Sequence, residues 1–159
     1  MHAKAETAQS LLASFWNEAW SSGLWAAAWQ KCLADLTPSQ ASWSPPSPSN
    51  VPGKRHSIWT IVAHMCFWRE DALRRLTDPT PPTAAAMAAG NFPLPPKEAS
   101  DESWNALRDR FAESQRRIAE ALADPKVDTA RLRYMLPHDC YHFGQINYIR
   151  ALLGFAPIE

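Results

Sequence analysis

The sequence predicts an all-α fold, a bundle of four long helices with a short extra helix at the N-terminus. Apolar residues recur at three- and four-residue intervals in five separate segments, as one buried face of a 3.6-residue helix requires. No segment alternates apolar and polar residues with period two for long, so there is no convincing strand. Most of the fourteen prolines fall in two clusters, Pro38 to Pro52 and Pro79 to Pro96, which separate the helical segments instead of interrupting them.

The first segment, from about Lys4 to Trp20, carries Leu11, Leu12, Phe15, Trp16 and Ala19 on one face, then meets Ser21-Ser22-Gly23, cap formers followed by a breaker. It reads as the short N-terminal helix. From Ser22 to Leu36 a new stripe of Trp25, Ala28, Trp29, Cys32, Leu33 and Leu36 predicts the first long helix, ended by Thr37-Pro38. Ser57 is the expected N-cap of a second, in which Ile58, Ile61, Val62, Met65, Trp68, Ala72, Leu73 and Leu76 mark a broad apolar face up to Asp78-Pro79. Ser100 precedes Asp101-Glu102, acids that favour a helix's first turn, and Trp104, Leu107, Phe111, Ser114, Ile118, Ala121 and Leu122 extend that third helix to Asp124-Pro125. The fourth starts around Leu136 or Pro137, runs through Ile146, Ile149, Arg150 and Leu153, and stops at Gly154, suited to the C′ position.

A chain of 159 residues falls within the size of one ordinary domain, so residues 1–159 are expected to form a single unit. Sixteen basic residues cancel sixteen acidic ones, and no basic run is present, so no nucleic acid or anionic membrane partner is expected. A small-molecule or protein partner is the expectation instead. No stretch reaches the 18 or so apolar residues of a membrane span, and no secretory signal pattern opens the chain, so a soluble, cytoplasmic protein is expected. Cys32, Cys66 and Cys140 form no CxxC pair and leave an odd one over, which suits a reducing compartment and assigns no bridge. Most of the eight tryptophans are expected in the core, with some in an interface.

Chemistry concentrates in Pro137-His138-Asp139-Cys140-Tyr141-His142-Phe143-Gly144-Gln145-Ile146. His138 and His142 stand four residues apart, so their rings lie one above the other on a helix face and can reach one ion. A third ligand must come from another element, and His64, in the middle of the second apolar helix, is the best placed candidate. Three histidines leave a tetrahedral ion one open position, the pattern of a reactive centre and not of a structural one. An HxxxH pair also occurs as ordinary surface or core residues. Here both lines run inward, with Gln145, Ile149 and Leu153 below the pair and Thr60 and Trp68 flanking His64, and polar groups on buried faces need partners. Imidazoles near their ordinary pKa of about 6.5 would lose metal as the pH falls through that region.

His56 lies eight residues before His64, about 80° away around the helix, and reads as an end-of-loop residue; His2 reads as a frayed terminus. Cys66 and Cys140 each follow a candidate ligand by two positions, about 200° around, and read as small buried hydrophobes. Asp139 reads first as an acid in a helix's first turn, or else as a group orienting a ligand or pairing with an arginine such as Arg69. Tyr141 and Gln145 are candidates for hydrogen bonds near the ion, without an assignable role, and Gly144 suggests close helix packing. No catalytic group is assignable.

His56-Ser57-Ile58-Trp59 followed by Val62-Ala63-His64 and an aromatic-Arg-Glu run, then Ser100-Asp101-Glu102-Ser103-Trp104, and then the stretch from His138 to Ile146 form a pattern that resembles the DinB-like superfamily of metal-dependent proteins. The resemblance extends from about Trp25 to Leu153. It implies a four-helix bundle of up-up-down-down topology, often a homodimer, with a divalent ion held by His64, His138 and His142. It further implies thiol chemistry: transfer or addition of a low-molecular-weight thiol to an electrophile, as in detoxification or stress response. Zinc or nickel is the expected ion, although three imidazoles also suit copper and iron. A metal-activated hydrolase would use the same parts, and the contrasting expectation is a non-catalytic dimeric module that binds metal for stability or sensing.

Overall fold

A hydroxyl just ahead of each long apolar run decides where three of the four long helices begin. In the computed structural model, which describes residues 7–49, 53 and 55–158, Thr7 accepts from the Ser10 amide and starts α1 (Ala8–Ser21). His2 and Lys4, the expected terminus and the expected start of this helix, lie outside the described residues. Two short helices follow, α2 (Trp29–Leu33) and α3 (Pro38–Ser42). Ser57 caps α4 (Ile58–Arg74) by accepting from the Thr60 amide at 3.2 Å. After α5 (Ala84–Gly90), Ser100 and Ser103 cap α6 (Asp101–Ala123) reciprocally, and a 3-10 turn leads into α7 (Met135–Leu152). The chain is all-helical, with no strand among the described residues, and no described helix is long and apolar enough to cross a membrane.

The long helices are α1, α4, α6 and α7, with α4 packed against both α6 and α7, and α1 against α6. Every residue of α4 from Ile58 to Cys66 is buried, as expected of a helix apolar on all sides that sits at the centre of its neighbours. Trp16 and Gln115 tie α1 to α6 twice, the indole N–H donating to the Gln115 carbonyl and the Gln115 amide donating to the Trp16 carbonyl, both at 3.1 Å. Pro137 occupies the third position of α7, where its missing N–H costs no hydrogen bond, so the helix begins earlier than expected, at Met135. At the other end Gly154, with φ +86°, lets the Phe155 and Gly154 amides return to the Arg150 and Ala151 carbonyls.

The bundle therefore has a different first member from the one the periodicity predicts. Residues 22–36 form no long helix. The chain turns left-handed at Gly23, where an added Cβ would lie 2.1 Å from the Ala26 carbonyl oxygen, and again at Asp35, with φ 60°. Only Trp29–Leu33 is helical between them, because tertiary packing holds Trp29 parallel to Phe143 at 5.1 Å and edge-on to Trp16 at 5.2 Å. Trp25, expected on the same buried stripe, is fully exposed. The segment expected to be the extra helix, α1, takes the bundle position instead.

The proline-rich connections also hold structure that their composition hides. Thr37, expected to end a helix, caps α3, and Thr83 caps α5 inside the second connection. Trp16, Trp29, Trp59 and Trp104 are core residues, and all three cysteines are unpaired.

Candidate metal centre

Helix α4 presents His64 and helix α7 presents His138 and His142 toward one point. A ligand nitrogen from each ring lies within 4.8 Å of the other two. His64 and His142 are only 5% and 4% exposed, whereas the side chain of His138 is 25% exposed, so the cluster opens to solvent on the His138 side. The i, i+4 spacing brings the His138 and His142 rings to 4.5 Å at 73°, and the packing of α4 on α7 brings His64 to 5.2 Å and 4.7 Å from them.

Each ring has its Nδ1 engaged by an oxygen. His64 Nδ1 lies 2.8 Å from Asn91 Oδ1, His138 Nδ1 lies 2.8 Å from Asp139 Oδ1, and His142 Nδ1 lies 2.7 Å from Gln145 Oε1. An acceptor on Nδ1 places the ring proton there and leaves Nε2 as the free lone pair. The Nε2 atoms of His64 and His138 stand 3.2 Å apart, close to the roughly 3.3 Å that two imidazoles span when bonded to one tetrahedral ion at about 2.0–2.1 Å. Two unprotonated nitrogens facing each other are a poor arrangement without a cation between them. The donor set therefore fits a divalent ion.

Electrostatics point the same way. Burial, and then the neighbouring His142 and His138 rings, pull His64 down from its ordinary value to about 4. Burial also lowers His142, against the opposing pull of its bond to Gln145. His64 is thus neutral well below neutral pH and His142 is shifted in the same direction, so the loss of metal expected near pH 6.5 moves lower for these two ligands.

The surroundings settle several open readings. Asp139 is fully buried and does both things open to it, accepting from His138 through Oδ1 and from Arg69 through Oδ2; because α7 begins at Met135 it lies beyond the helix's first turn, contrary to the expectation. Gln145 supports His142 and donates to the Tyr141 hydroxyl at 3.1 Å, so Tyr141 stands one residue further out. His56 lies outside the cluster, as its angle predicts. Cys66 is a buried hydrophobe whose thiol is pushed up to about 12, but Cys140 is exposed, contrary to expectation, because α7 turns that face to solvent. Gly144 does not support close helix packing, since nothing lies within 4 Å of an added Cβ; it widens an open cavity of about 730 Å³ shared with Tyr141, Gln145, Tyr148, Arg55 and His56.

Two residues of the site escape sequence reasoning. Asn91 holds His64, and Phe92 lies flat on it, ring centroids 3.7 Å apart at 8°, with His56 stacked on the opposite face of Phe92 at 4.1 Å. Their signal was the alanine run after Thr83, a strong helix former closed by Gly90-Asn91, hidden among prolines.

A family model described as the DinB superfamily matches residues 24–153. Searches of the curated proteins and of the solved structures found no match.

Proposed function

The chain belongs to the DinB superfamily, and from that premise we propose that it is a divalent-metal-dependent enzyme that transfers or adds a low-molecular-weight thiol to an electrophile. The observation that carries the reading is the convergence of three imidazoles whose Nδ1 atoms are all occupied by oxygens, so that Nε2 of His64, His138 and His142 would hold the ion. Zinc or nickel is our choice among the divalent ions that imidazoles suit. A divalent ion held by three protein ligands lowers the pKa of a thiol or water in its open position, supplying a nucleophile at neutral pH.

The chain's own residues do the positioning. Asp139 and Gln145 fix two rings, Phe92 shields His64 from water on one face, and the partial exposure of His138 leaves an approach for a small molecule. The balanced net charge argues against a nucleic-acid substrate. We place the protein in the cytoplasm, in detoxification or stress response, as a homodimer, with a sedimentation mass near 17.8 kDa at all concentrations counting against the last point.

Metal uptake tests the reading first. Purified protein with zinc or nickel near neutral pH should take up about one ion per chain, and His64→Ala and His142→Ala should abolish that uptake. Loaded protein should then accelerate consumption of a thiol by a generic electrophile where metal-free protein does not. Stoichiometric uptake with equal rates in both forms would favour a non-catalytic metal-binding module.

A further inference from the structure

We infer that Asn91 is a positioning residue of the metal centre, one that selects the ring tautomer of His64 and is itself oriented by Trp68. The inference rests on the metal reading above and adds to it a residue 27 positions from the ligand it serves. A carboxamide can turn its oxygen or its nitrogen toward a neighbour, so Asn91 alone would not decide where His64 carries its proton. Trp68 removes the ambiguity. Its indole N–H can only donate, and it lies 3.3 Å from the same Asn91 atom that faces His64 Nδ1 at 2.8 Å. That atom must be the oxygen, so His64 Nδ1 must carry the hydrogen, and Nε2 is left unprotonated toward His138 and His142.

The turn that carries Asn91 is built for this placement. Gly90 passes so close to Phe67 that a Cβ would lie 2.2 Å from its ring, which brings the end of α5 down onto α4. Phe92, next in the chain, has φ 58°, a left-handed conformation that a bulky residue adopts only when its surroundings hold it there. The hold is the stack of its ring between His56 and His64. The strained residue and the tight approach flank the side chain that bonds His64.

Long-range nitrogen–proton NMR of the metal-free protein near neutral pH reads the tautomer directly, and zinc titration reads its consequence. Wild-type His64 is expected in the Nδ1–H form. Asn91→Ala should populate the Nε2–H form and weaken zinc binding by about 10- to 100-fold, the usual effect of removing such a partner. Asn91→Asp, which can only accept, should restore both. Trp68→Phe keeps an aromatic ring but frees the amide to turn over, and should give a mixture of tautomers. An unchanged His64 tautomer in Asn91→Ala, or its loss in Asn91→Asp, overturns the inference. Absence of zinc uptake by the wild type would defeat the metal reading instead, while the metal-free spectra would still decide the role of Asn91.

Discussion

Arg69 donates from Nε to Asp139 Oδ2 at 2.6 Å, and neither side chain has any solvent exposure. Arg69 also donates from Nη1 to the Phe111 carbonyl at 3.3 Å and to Ser114 Oγ at 3.2 Å, and its guanidinium lies 3.8 Å from the Phe111 ring centroid and 4.7 Å from that of Trp16. Asp139 passes this anchoring on to His138 through its other oxygen. One buried ion pair thus links the aromatic core to the ligand set.

Asp139→Ala strands a buried cation and should destabilise the protein by about 3–5 kcal/mol, as loss of one partner of a buried pair does. In a chain of this size that lowers the melting temperature on the order of 10 °C. The double variant Arg69→Met with Asp139→Asn should be less destabilised than the sum of its singles, because neither charge is left alone. Strictly additive losses in thermal denaturation would refute the coupling.

Metal-free protein should lose stability as the pH falls from about 6.5 toward 4. The folded His64 takes up its proton only near 4, whereas the unfolded chain's histidine does so near the ordinary 6.5, so between those values the unfolded state binds more protons. The group's contribution is fully present above that window and lost below it. Chemical denaturation at a series of pH values checks the sign; a His64→Gln variant should lose part of the slope.

Phe92→Gly removes the ring that covers His64 and, without a Cβ, tolerates the left-handed backbone that the stacked ring no longer holds. Burial is the main cause of the depressed His64 value, so exposure of that face should raise it from about 4 toward 6.5. An NMR titration in which the metal-free variant matches the wild type would contradict this assignment of cause.

The same substitution should act oppositely at two glycines. Gly144→Ala, in the interior of α7 with nothing within 4 Å of the new methyl, should stabilise by about 0.5–1 kcal/mol. Gly90→Ala drives a methyl into the Phe67 ring and should destabilise by about 1–3 kcal/mol, with weaker zinc binding because Asn91 moves. Equal effects in thermal denaturation would mean that the close approach at Gly90 is relieved without cost.

Chain-local physics made much of this legible. The hydroxyls of Ser57 and Ser100 cap helices where a residue with that chemistry ahead of an apolar run should, Gly154 ends α7 by its left-handed freedom, and the four-residue spacing of His138 and His142 sets their rings on one face whatever surrounds them. Pairing His64 with them required only that both helices bury the faces carrying these residues.

Only the folded arrangement decided the rest, because each remaining choice depends on what lies across the core and not on the neighbouring residues. Periodicity cannot know that Trp29 finds Phe143 and Trp16, so it extends a helix through residues that tertiary packing bends at Gly23 and Asp35. Nor can it see that the end of an alanine helix among prolines places Asn91 against His64, or decide among the readings of Asp139, which serves His138 and Arg69 at once. The sequence by itself determined which faces are apolar and where the imidazoles stand along them; the packing of α4 against α7 and of the α5 turn over both determined which nitrogen of His64 faces the centre.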